Sequence, residues 1–191
     1  MKVITLAVLA IATAMSAPAS SVTVYVQGLS VVPGQVLSRA QGLANEMFAS
    51  VDVNIDWRRG GSGHSPSRTE RAIVVEMTID PHRELTPGPL AFSLPYEGVH
   101  ITVFYDRVRQ RAQPDSIPNL LAHVLVHEIT HILEGTDAHA ATGIMKARWD
   151  EKDLMQMRNG PLSFAEQDVR LIALRLAQDR GAGTLITAIR H

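Results

Sequence analysis

LLAHVLVHEITHILEG, residues 120–135, is the stretch from which the rest of the chain is read. Its centre has the form H-E-x-x-H: His127, Glu128 and His131. On a helix, residues four apart share a face and stand about 6 Å apart along the axis. Two imidazoles so placed can grip one metal ion, and a carboxylate beside the first can reach a water on that ion. Pro118 suits a first helical turn and pushes Ile117 out of helical geometry, so a helix begins near Pro118. Leu120, Leu121, Val124, Leu125, Val126, Ile129, Ile132 and Leu133 then wrap most of its circumference, the mark of a buried helix. Gly135 is the natural stop. Polar groups inside such a helix need partners, because an unpaired buried carboxylate is costly. A metal and its water would serve. The plainer alternative is core histidines bonded to backbone, with Glu128 at a surface edge.

The neighbouring donors differ in reach. His123 and His131 are about 12 Å apart along the axis, too far to share an ion, so His123 reads as packing behind the site. Glu134 lies a further turn up. The loop GTDAH, residues 135–139, brings round both Asp137 and His139, and either can serve as a third ligand. His64, His82, His100 and His191 have no partner spacing.

Hydrophobic content of 46%, charged content of 19% and a net charge of −1 over 191 residues describe one ordinary globular domain. That balance singles out neither nucleic acid nor an anionic membrane as a partner. Residues 1–19 read as a signal peptide: Lys2, a short apolar run, then Ala17-Pro18-Ala19 for cleavage. Residues 20–191 form the single domain, with no membrane association after that removal, and the expected location is secreted or periplasmic. The chain has no Cys, so thiolate sites and disulfides are excluded and any metal is held by His, carboxylate or water.

Alternation marks residues 21–27 (SVTVYVQ) and 51–57 (VDVNIDW) as strands, with an amphipathic helix over 35–50 between them. That order predicts a right-handed crossover in a parallel pair. Residues 58–69 are a Gly/Ser/Pro loop. Further strands are expected at 71–79, briefly at 90–95 on a sheet edge because of Pro95, and at 99–105. Residues 106–113 read as a short, polar, exposed helical turn. Asp150 is a candidate N-cap for a short helix. Ser163 and Glu166 have capping-box spacing for a last helix over 164–178, with a stripe of Val169, Ile172, Ala173 and Leu176. Residues 181–191 receive no assignment.

This order of elements, with H-E-x-x-H and the Met loop up to Met145, resembles the metzincin-type zinc peptidases. The resemblance implies an α+β fold: a mixed, twisted sheet of about five strands on the H-E-x-x-H helix, with a C-terminal helix. It implies Zn2+ held by His127, His131 and His139, Glu128 as general base, Gly135 ending the helix and Met145 in the turn beneath the metal. It also implies a peptide or protein substrate laid along GPLAFSLP, residues 88–95. Metzincins carry H-E-x-x-H-x-x-G-x-x-H; here Gly135 falls one residue late and His139 two, so the ligand loop is rebuilt. The implied function is an exported zinc-dependent peptidase. The alternative is a secreted zinc-binding protein of the same fold without peptidase activity.

Overall fold

The computed structural model describes residues 20–60, 72–79, 88–93 and 99–188, with side chains to residue 178. The signal-peptide reading of 1–19, Pro95, His64, His82 and His191 all fall outside these residues. A five-stranded sheet, in the order β2-β1-β3-β5-β4, backs the whole molecule. The strands are β1 (Ser20–Gln27), β2 (Val53–Arg59), β3 (Ala72–Thr78), β4 (Ala91–Ser93) and β5 (His100–Phe104). β2, β1, β3 and β5 run parallel, and only the β4 edge is antiparallel. The fold is therefore α+β with a mixed sheet, as the element order implied.

Helix α1 (Gly34–Ala49) makes the connection from β1 to the parallel β2. It buries Leu37, Ala40, Ala44, Met47 and Phe48, one face at helical spacing. β2 starts at Val53 rather than Val51. Backbone bonds Val51 N to Phe48 O and Asp52 N to Ala49 O still belong to the helix end. Asp52 then turns the chain at φ 58°, a conformation Asp tolerates better than most residues.

Helix α2 (Tyr105–Arg111) corrects the expectation of an exposed polar turn, because Tyr105, Asp106 and Val108 are buried. Tyr105 and Val108, three apart, form an inward stripe that the charged residues between them masked. Helix α3 (Ile117–Glu134) starts one residue earlier than expected, with Ile117 in helical geometry (φ −54°, ψ −46°). The residue before Pro is only disfavoured there, and the turn at residues 114–116 already points the chain along the axis. Every α3 residue from Leu120 to His131 is buried, as the all-round apolar pattern required.

Helix α4 (Glu151–Asn159) opens on Asp150, whose side chain accepts from the Lys152 and Asp153 backbone in a full capping box. Helix α5 (Glu166–Ala188) does not open on Ser163. Its Asp168 carboxylate accepts from Ala165 N at 3.0 Å, while the Ser163 carbonyl is taken by Ile144 N. The cap thus moves two residues on. The buried face follows it, with Asp168 and Ile172 inside and Val169 36% exposed. The helix also continues to Ala188, through residues left unassigned above.

Candidate metal centre

His127 and His131 sit one turn apart on α3, 8% and 5% exposed. Each has a backbone acceptor for Nδ1: the Ile144 carbonyl at 2.9 Å and the Thr136 carbonyl at 2.9 Å. Those bonds place the proton on Nδ1 and leave a lone pair on each Nε2. The two Nε2 atoms stand 3.1 Å apart. In these tautomers neither can donate to the other, so the lone pairs repel unless a cation lies between them. Two nitrogens bound at about 2.1 Å to one tetrahedral ion are about 3.4 Å apart, so the pair fits a shared zinc-sized ion. Burial holds the His127 imidazole down to about 4, with the Ile144 bond opposing and the other two histidines assisting. Burial lowers His131 as well. Both rings are therefore neutral at ordinary pH, the state a ligand needs.

The loop after α3 delivers the third imidazole. Gly135 caps the helix at φ 67°, ψ 33°, a left-handed turn natural to glycine. The chain then doubles back so that His139 joins His127 and His131, with ligand atoms all within 4.8 Å of one another. Ring centroids of His139 lie 5.3 Å from His127 and 4.9 Å from His131. Asp137 lines the same cleft but is not in that convergent group. Glu134 is not in it either; its carboxyl is raised to about 7 by burial and by the nearby Asp168 carboxylate.

Met145 is fully buried. Its carbonyl accepts from Ala140 N at 2.8 Å, directly behind His139, and its neighbour Ile144 carries the carbonyl that fixes His127. The turn around Met145 thus ties two of the imidazoles to one rigid piece of backbone. Gly143 makes that turn possible: its φ is +79°, and a Cβ there would run into the Ser163 carbonyl.

Glu128 is 8% exposed and lines the cleft beside the three rings. Burial pushes its carboxyl up to about 7, against a hydrogen bond from Ser93 that lowers it. Ser93 Oγ donates to Glu128 Oε2 at 2.7 Å from strand β4. The cleft holds about 660 Å³, between β4, α3 and the segment Lys146 to Trp149.

Two contributors were not foreseen from the sequence. One is Ser93, in a stretch read as an edge strand for substrate with no role for this side chain. The other is Trp149, whose ring stands edge-on to His127 at 5.5 Å and whose indole donates to the Gly143 carbonyl at 3.3 Å. His123 sits behind the site as expected. Its Nδ1 meets the Asn119 carbonyl at 2.7 Å, and its Nε2 accepts from Leu162 N at 3.0 Å.

Neither a protein-family model nor a curated protein matches the sequence. Among solved structures, the chain is similar to archaemetzincin from Methanopyrus kandleri at TM-score 0.55 and 14% identity, over 85% of this chain and 99% of that one. The fold is metzincin-like. A looser likeness, at TM-score 0.37 and 16% identity, is to myroilysin, over 81% of this chain and 66% of the other. In this metzincin-like frame the convergent group is His127, His131 and His139, with Glu128 between the first two in sequence.

Proposed function

We propose that the protein is an exported zinc-dependent peptidase. The observation that carries the zinc reading is the pair of bare Nε2 atoms, 3.1 Å apart, each fixed by a backbone carbonyl on the opposite ring nitrogen. His127, His131 and His139 would hold the ion and leave one position open, as a catalytic site requires. Bound zinc supplies an acidified water and a positive charge for the oxygen of the substrate carbonyl.

The chain's own part of the reaction falls to Glu128. Its Oε2 accepts from Ser93, which leaves Oε1 for proton transfer. Oε1 accepts the proton of the attacking water as oxygen bonds to the carbonyl carbon. The same oxygen returns that proton to the amine nitrogen as the C–N bond breaks. A carboxyl raised by burial to about 7 is matched to both halves of this transfer near neutral pH. The cleft beside β4 has room for an extended peptide. Export is proposed from the residues 1–19 alone, and N-terminal sequencing of protein from outside the cytoplasm tests it.

Glu128→Gln tests the peptidase itself. Zinc content and thermal stability should remain near wild type, while hydrolysis of a proteome-derived peptide library should fall by at least about 10²-fold. Equal cleavage by the variant would refute the assigned base. A zinc-loaded, folded wild type that cleaves nothing would favour a zinc-binding protein over an enzyme.

A further inference from the structure

We propose that Ser93 is a positioning residue for Glu128, linking the strand along which a substrate would lie to the group that moves the proton. The inference rests on the peptidase reading. Among the described residues β4 is the outer strand of the sheet, paired with β5 alone. Phe104 N bonds to Leu90 O at 2.9 Å, and the antiparallel register pairs Phe92 with Thr102 and Ser93 with Ile101. In an antiparallel ladder, bonded and non-bonded pairs alternate. Leu90 and Phe92 therefore spend their backbone groups on β5, and Ala91 and Ser93 present theirs to the open edge.

The side chains alternate as well. Phe92 goes to the outer face, 43% exposed and 5.9 Å from the Phe104 ring. Ala91 and Ser93 go to the face covered by α3. Ser93 thus offers its backbone to an incoming strand and its hydroxyl to Glu128, 35 residues away in the chain. A hydroxyl has one proton to donate. It is spent on Oε2, which holds the carboxylate in one orientation and leaves Oε1 for the proton. The terminal torsion of a Glu is broad, so without this bond the carboxylate can swing out of line.

Ser93→Ala and Ser93→Thr, in the zinc-loaded full chain, test this against the library peptide that wild type cuts fastest. Ser93→Ala should lower kcat by about 10- to 100-fold, the scale of a small misplacement of a reacting group. KM, zinc content and Tm should stay near wild type. Ser93→Thr keeps the hydroxyl and should restore most of the rate. Wild-type kcat in Ser93→Ala, a raised KM at unchanged kcat, or a Ser93→Thr as slow as Ser93→Ala overturns the proposal. Crystal structures of zinc-loaded wild type and Ser93→Ala give a readout that does not need turnover. A Glu128 carboxylate that keeps its orientation in Ser93→Ala sinks the positioning role. A wild type without any peptidase activity sinks instead the reading on which it rests.

Discussion

His123 and His127 stand one turn apart on α3, both buried, and each gives Nδ1 to a backbone carbonyl. They differ at Nε2. In His123 it accepts from Leu162 N, so the ring is fully satisfied and has no lone pair left. In His127 it faces the bare Nε2 of His131. Burial and four-residue spacing are therefore common to a core histidine and a candidate ligand. What separates them is whether the fold supplies a donor for the second nitrogen. At the His123 end, the chain entering α5 comes down onto the ring. At the His127 end, the loop beyond Gly135 stands off and brings another imidazole.

Substitutions at the two ends should fail in different ways. His127→Ala should reduce zinc affinity by at least about 10²-fold, since even supporting residues of such sites cost 10- to 100-fold, while the fold persists. His123→Ala should leave zinc stoichiometry unchanged but cost about 2–4 kcal/mol of stability, because it opens a cavity and strands the Leu162 N–H. Metal analysis and chemical denaturation of both variants check this. Zinc loss in His123→Ala without unfolding would erase the distinction. Within the ligand end, His139→Ala should lower zinc affinity far more than Asp137→Ala, as read by chelator competition. The reverse order would hand the third position to Asp137.

The smallest effect concerns the top of α3. Glu134 has one carboxyl oxygen buried without a hydrogen bond, and its pKa is raised from 4.5 to about 7 by burial first and Asp168 second. A raised acid is protonated more readily in the folded than in the unfolded chain. Its contribution to stability therefore falls as pH rises from about 4.5 through 7 and stays lost above. The site is half-buried, so the effect is screened. Glu134→Gln should be more stable than wild type by about 1 kcal/mol at pH 8 and equal to it at pH 4. A pH-independent difference in denaturant midpoints would remove Glu134 from the account.

What could be read from the sequence was what lies within a few residues of itself. The all-round apolar pattern, Gly135 and the H-E-x-x-H spacing located α3 and its imidazoles, and Asp150 announced its own cap. The turn after Gly135 brought both Asp137 and His139 within reach, and only the resemblance to metzincins chose His139 between them. The groups that make the imidazoles usable were not legible. The carbonyl of Ile144 that fixes His127 belongs to backbone 17 residues away, and a backbone carbonyl carries no residue signature. Ser93 reaches Glu128 across the sheet edge, and Trp149 reaches His127 from the far side of the Met145 turn. The α5 cap moved because Ser163, sound as a local cap, had its carbonyl claimed by Ile144 from another segment. Tertiary demand overrode a local preference there.

The central claim is that half-satisfied imidazoles make the upper end of α3 a zinc site. A crystal structure of the zinc-loaded protein, with anomalous scattering at the zinc edge, tests it most directly. The account predicts a single peak about 2.0–2.1 Å from Nε2 of His127 and Nε2 of His131, with His139 as third ligand. The Nδ1 bonds to Ile144 and Thr136 should be unchanged. No peak between those nitrogens in protein that binds zinc in solution, or an ion reached only by breaking the two carbonyl bonds, would contradict it.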